Sequence, residues 1–246
     1  MGLNPTRMTQ VTTARAEVVI RVWFDISMSD NFRQRRRVRT GRIVALLVAL
    51  TLVGAACGSD TTDDDASGSG DLLGAVRNPP LAVGDVTLTD TSGATPRSVT
   101  MTPPKGELYV VYFGYASCPD ICPTTLSDIQ VALGDLPEAD AKRVTVGMVT
   151  VDPERDTPEL LSEYLGHFFD RSMALRAETP EALTAATEAF GVRYEIAPHP
   201  PGATDYEVSH TAVTYVIDDT GKVAVEWPFG FDSEHMTKDL TTLLEG

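Results

Sequence analysis

A mixed α/β sandwich, with helices on both faces of a central sheet and a hairpin at its N-terminal side, is the fold class this sequence predicts. Three observations point there. Residues 107–115, "ELYVVYFGY", form a nearly continuous apolar run rich in β-branched and aromatic side chains, as a strand covered on both faces requires. Strand-like and helix-like segments then alternate as far as residue 191, the pattern of parallel strands joined by helical crossovers. Finally, "EVSHTAVTYVID" and "KVAVEWPF" flank "DTG", which predicts an antiparallel hairpin ahead of a closing helix.

The elements follow in order. "LAVGDVTLTD" and "RSVTMT" alternate in polarity and read as a short opening hairpin. After the strand at 107–115, residues 124–136 carry a helical period, and "RVTVGMVTVD" at 143–152 is a second central strand. Residues 157–169 predict a helix with Thr157 as N-cap, Pro158 at the first helical position and Glu159 in the first turn. A brief strand at 173–177 precedes a helix at 179–191 with the same Thr–Pro opening and a Gly191 stop. Residues 232–244 close the chain as an amphipathic helix capped by Asp232 or Ser233. The whole predicts a thioredoxin-like sandwich over residues 81–246, a fold that assigns no chemistry by itself.

The N-terminal quarter has another character. A basic run at 33–42, "RQRRRVRTGR", precedes the apolar stretch "IVALLVALTLVGAA" at 43–56 and then Cys57. This is the layout of an export signal, and its apolar part falls short of the roughly 20 residues a spanning helix needs. "VGAAC" resembles a bacterial lipobox, with Gly54 where leucine is usual, which implies lipid attachment at Cys57. The expectation is therefore an extracytoplasmic, membrane-attached protein. Residues 1–27 add nothing to such a signal, and a start at Met28 would give one of ordinary length. From residue 58 to 80 the chain is rich in Gly, Ser, Asp and Thr and reads as a flexible tether.

Charge divides the same way. Of the overall −15, the part up to Cys57 has nine basic and three acidic residues, leaving 11 basic and 32 acidic for the rest. An acidic domain of that kind repels nucleic acid and anionic headgroups and tolerates cations and basic partners.

The chemistry centres on "YVVYFGYASCPDICPTTLSDI", residues 109–129. Cys118 falls in the turn after the central strand and Cys122 near the start of the next helix, with Pro119 and Pro123 suited to a first turn. Positions four apart share a helix face, with Cβ atoms about 5–6 Å apart, so both sulfurs can address one metal ion. A disulfide needs Cβ atoms about 3.5–4.5 Å apart and hence local unwinding. The helix N-terminus favours a thiolate, which is both a metal ligand and a redox nucleophile. Metal binding, reversible redox chemistry and a structural disulfide all remain open on these residues. A thiol peroxidase would need a Thr and an Arg placed around its peroxide-reactive cysteine, and no such arrangement precedes Cys118.

Two soft ligands call for a third. Among four histidines, His210 lies just before a strand that should run in the sheet centre and end near the cysteine turn. Read alone, it equally suits a hydrogen-bonded residue at a strand end. His167, His199 and His235 read as surface residues.

Three extended motifs, "FGYASCPDICPTTLSDI", "VTVDPERDTPELLSEYL" and "VSHTAVTYVIDDTGKV", in this order, resemble the Sco/SenC proteins over roughly residues 80–245. That family comprises copper-binding assembly factors for cytochrome c oxidase with a thioredoxin fold. The resemblance implies that Cys118, Cys122 and His210 are ligands of copper, as Cu(I) or Cu(II), and that Asp152 lies near the site. It implies a partner in the copper-site subunit of the oxidase or another copper or thiol protein. A Cys₂His set is soft, suits Cu(I), and could accept a further ligand for Cu(II). The alternative is a thiol-disulfide oxidoreductase using Cys118 and Cys122 on a partner's cysteines.

Overall fold

The computed structural model describes residues 72–246. One seven-stranded sheet dominates, in the order β2-β1-β5-β4-β3-β8-β9. Its strands are β1 (Thr87–Asp90), β2 (Arg97–Thr100), β3 (Leu108–Gly114), β4 (Val144–Thr150), β5 (Ser172–Arg176), β8 (Val213–Ile217) and β9 (Val223–Pro228). All seven residues of β3 are buried, as their apolar run predicts. β3 pairs in parallel with β4 and antiparallel with β8, so it lies at the middle of a mixed sheet. The expected hairpins are present as β1–β2 and β8–β9.

Helices cover both faces. α1 (Ile121–Gly134) and α5 (Ser233–Glu245) bury Ile129, Ala132, Met236 and Leu240 with Val110, Val146 and Trp227. α3 (Pro158–Gly166) and α4 (Pro180–Phe190) bury Leu161, Leu165, Leu183 and Phe190 with Val111, Phe113 and Val149. A single turn, α2 (Glu138–Ala141), precedes β4 and was not legible in the sequence. Capping follows the sequence closely. Thr157, Thr179 and Asp232 accept backbone N–H bonds at the starts of α3, α4 and α5, and Gly191 ends α4 at φ +68°. A left-handed C-terminal residue of that kind costs glycine no Cβ clash.

The start of the fold and the histidine region depart from expectation. Residues 72–80 were expected in the tether, yet Ala75 exchanges backbone bonds with Glu226 of β9, and Arg77 pairs with the Glu226 carboxylate. The amides of Leu73 and Gly74 donate to the buried carboxylate of Asp239, which also accepts from Trp227 Nε1. A buried carboxylate needs such donors, and those on Leu73 and Gly74 are invisible in a Gly- and Asp-rich stretch. His210 ends β7 (Val208–His210), which pairs with β6 (Tyr194–Ile196) in a separate two-stranded ribbon. The chain enters the central sheet only at Val213.

The expected export segment 1–57 (with residues 1–27 as an over-long start), Cys57 and the tether as far as residue 71 lie outside the described residues. Among the described residues no helix is long and apolar enough to cross a membrane.

Candidate metal centre

β3 ends at Gly114, and the chain turns through Tyr115–Asp120 into α1, so both thiols sit at the C-terminal edge of the central strand. This is where open α/β sheets build their sites. Asp120 is the N-cap by position but makes no side-chain cap bond. Cys118 Sγ substitutes for it, accepting the N–H of Cys122 at 3.4 Å. Cys122 is fully buried, whereas Cys118 is 8% exposed and half-buried His210 stands beside them. Both cysteines are unbonded thiols.

The ligand atoms of Cys118, Cys122 and His210 all lie within 4.8 Å of one another. Cys122 Sγ is 3.4 Å from His210 Nε2. His210 Nδ1 is 3.1 Å from the carbonyl of Thr211. A carbonyl only accepts, so Nδ1 carries the hydrogen and Nε2 presents its lone pair to the thiols. Tyr112 and Tyr115 set their rings edge-on to the imidazole at 5.7 and 5.9 Å, and the Tyr112 hydroxyl donates to Cys122 Sγ.

The two thiols are driven apart in acidity. Cys118 is held well below the usual thiol range by the hydrogen bond from Cys122 and by backbone N–H groups of the helix start, against a cost from burial. Cys122 moves up, because it donates to Cys118 and is buried. Burial and the neighbouring sulfur likewise push the Tyr112 phenol up, so it stays a donor.

Around these three residues lies a shell of which the sequence indicated only Asp152. Asp156 accepts from the Ala116 amide at 3.0 Å and the Thr150 hydroxyl at 2.6 Å, fixing the first turn of the cysteine loop. Burial pushes its pKa above the usual carboxylate value. Asp152, expected near the site, is fully buried but touches neither thiol nor imidazole through a hydrogen bond: its oxygens are held by Arg155 and by the Tyr206 hydroxyl. The signal was present in "VDPERDTP", where Arg155 follows Asp152 at helical spacing, but nothing in sequence placed Tyr206. His199 is stacked on Tyr206 at 3.7 Å rather than free at the surface. A groove of about 620 Å³ flanks the site, walled by Ser117 and Pro119 on one side and by Glu195, Glu207 and Ser209 on the other.

A family model described as SCO1/SenC matches residues 75–245, more than half of the chain. The chain belongs to the SCO1/SenC family. Among curated proteins, it is 35% identical over 139 residues to the SCO2-like protein of Rickettsia felis, covering 56% of this chain and 65% of that one. It is 30% identical over 139 residues to mitochondrial protein SCO2 of Saccharomyces cerevisiae, covering 56% and 45%. The matched part spans 57–65% of the length of the first curated relatives. Among solved structures, apo Sco1 of Thermus thermophilus aligns with TM-score 0.58 at 30% identity, over 70% of this chain and 96% of the other. Bradyrhizobium japonicum ScoI, solved with copper bound, aligns with TM-score 0.54 at 31% identity, over 63% and 95%. The thioredoxin-like fold class expected from sequence is therefore the fold of this SCO1/SenC chain.

Proposed function

We propose that this chain binds copper through Cys118, Cys122 and His210 and serves as an extracytoplasmic metallochaperone for the binuclear copper site of a respiratory cytochrome c oxidase. The observation that carries it is the convergence of two thiols and one oriented imidazole nitrogen within 4.8 Å at the edge of the central strand. Two thiolates and an imidazole make a soft set that favours copper over zinc by ligand type and by the order of divalent affinities. A relative solved with copper bound supports the choice of metal. The copper is cargo: Cys118 stands at the open side, and the groove beside it leaves room for an acceptor's ligands. Attachment to the membrane rests on the basic and apolar run before Cys57 and on lipid at that residue.

The test loads the reduced, purified chain with Cu(I) and Cu(II) separately. One equivalent of each is expected to bind, to be lost in the Cys118→Ser/Cys122→Ser variant, and to be weakened in His210→Ala. Absence of a stoichiometric site in the unaltered protein would sink the reading.

The divergent acidity of the two thiols supports a second reading, a thiol-disulfide oxidoreductase acting on partner cysteines. The Cys118 thiolate would attack a partner disulfide to give a mixed disulfide, and Cys122 would then displace the partner's second thiolate, leaving a Cys118–Cys122 disulfide and a reduced partner. His210→Ala separates the two readings, since it would leave reductase activity largely intact while weakening copper.

A further inference from the structure

The ribbon that carries His210 is reached by a segment, residues 197–207, that packs little apolar surface. The turn between β4 and α3 ties it down: Glu154 holds His199 and the Gly202 amide, Asp152 holds the Tyr206 hydroxyl, and Arg155 takes the end nearest the ribbon. Arg155, in the turn between β4 and α3, is only 9% exposed in its side chain and pairs with the fully buried Asp152. Its Nη1 donates to the carbonyls of Thr204 at 3.2 Å and Tyr206 at 3.1 Å. Its guanidinium carbon lies 3.8 Å from the Tyr206 ring centroid and 5.3 Å from that of Tyr115. Tyr206 in turn donates its hydroxyl to Asp152 at 2.8 Å. Tyr115 passes the contact on: its hydroxyl donates to the Val208 carbonyl at 3.2 Å, and its ring edge meets the His210 imidazole.

We infer that Arg155 is a positioning residue, clamped between Tyr115 and Tyr206, that holds His210 against the thiols and thereby sets the preference of the site between Cu(II) and Cu(I). This rests on the copper reading above. The distinction between oxidation states follows from ligand chemistry. Two thiolates satisfy Cu(I), whereas Cu(II) gains from a nitrogen donor at a fixed place. Loosening the imidazole therefore weakens Cu(II) more than Cu(I). Partners that orient a ligand without touching the metal commonly change affinity by roughly 10–100-fold when removed. A lysine would not substitute fully, because it lacks the planar fork that reaches a carboxylate and two carbonyls while stacking on a ring.

The experiment compares the purified full chain with Arg155→Met/Asp152→Asn, in which neither charge is left buried alone, with Arg155→Lys, and with Tyr206→Phe as the mildest change. Each is titrated with Cu(I) and with Cu(II) against competing chelators, and the thiolate-to-Cu(II) absorption and electron paramagnetic resonance spectra are recorded beside thermal melts. In the double variant Cu(II) affinity is expected to fall roughly tenfold or more while Cu(I) affinity stays within about threefold, with altered Cu(II) spectra. Arg155→Lys should recover part of the loss, and Tyr206→Phe should show a smaller change in the same direction. A parallel fall of both affinities that tracks the loss of melting temperature would make Arg155 merely structural and overturn the inference, as would unchanged Cu(II) binding and spectra. If the double variant does not fold, the Cu(II)-to-Cu(I) ratio and spectra of Tyr206→Phe decide alone. No copper on the unaltered chain would sink the parent reading, whereas copper on it with an unchanged ratio in the variants would sink only the clamp.

Discussion

The two halves of the candidate site are built from different physics. The thiols belong to the core: β3 is buried along its whole length, lies between β4 and β8, and feeds directly into α1, whose Cys122, Leu126 and Ile129 are fully buried. The imidazole belongs to a ribbon of two three-residue strands, with no fully buried position, that pair only with each other. The ribbon's Tyr194 and Val208 only partly pack on the core, and the rest of its anchorage is polar and aromatic, from Arg155, Tyr115 and Tyr112. Apolar packing is non-directional and tolerates little change of volume, whereas polar ties are directional and can be cut without emptying a core. The lesson is that the spacing of the thiols is inseparable from the stability of the fold, while the position of the histidine can be altered at small cost to it.

The largest effect should come from breaking the first half. A Cβ at Gly114 would lie 2.8 Å from Tyr112 Cε1 and 3.0 Å from Cys122 Sγ. Gly114→Ala is therefore expected to destabilise the protein by about 1–3 kcal/mol through overpacking and to disturb copper binding with it. Urea unfolding measures the first and a copper titration the second, and a loss of copper with unchanged stability would contradict the coupling described here.

Reactivity sharpens the comparison at an intermediate scale, because Cys118 stands at the edge of the core and Cys122 inside it. With Cys118 lowered by its hydrogen bonds and Cys122 raised, iodoacetamide should alkylate Cys118 of the metal-free protein well below the usual thiol range and leave Cys122 almost untouched. Peptide mass spectrometry across a pH series reads this out. Equal labelling with an ordinary thiol profile at both would contradict the assignment.

The smallest effect should arise in the second half. His199 Nε2 lies 3.1 Å from Glu154, whose other oxygen accepts the Gly202 amide. The imidazole is raised above its ordinary value, first by the Ala197 carbonyl and then by Glu154, and the Glu154 carboxyl is lowered, first by His199. A raised histidine contributes most below its unfolded value and loses that contribution as pH rises through the folded value. A lowered carboxylate contributes above its unfolded value and loses it as pH falls through the folded one. The tie is therefore strongest in mildly acidic solution, between the ordinary carboxylate and imidazole values, and weakens towards pH 8. After correction for intrinsic rates, the Gly202 amide should exchange faster at pH 8 than at pH 6. His199→Ala should erase that difference and leave global unfolding unchanged.

Much of the first half was legible in advance and little of the second, and particular residues show why. Thr157, Pro158, Thr179 and Gly191 announce the ends of α3 and α4 because a cap is written within three or four residues of the end it caps. The continuous apolar run of β3 announces a strand covered on both faces. By contrast, β6 and β7 each have only three residues and too little burial for a period to register. Residues 72–77 read as tether because what holds Leu73 and Gly74 is a carboxylate 165 or more positions away.

The sequence by itself determined the order of the central strands and of the four longer helices, the thiol pair at the junction of β3 and α1, and the character of a soft, metal-competent donor set. These are properties of periodicity, caps and residue chemistry over short stretches of chain. Only the tertiary structure decided that His210, 88 positions beyond Cys122, turns Nε2 to within 3.4 Å of its sulfur, and that Asp152 reaches that region through Arg155 and Tyr206. Such contacts depend on where the sheet order lays distant segments side by side, and no local pattern of residues encodes that placement.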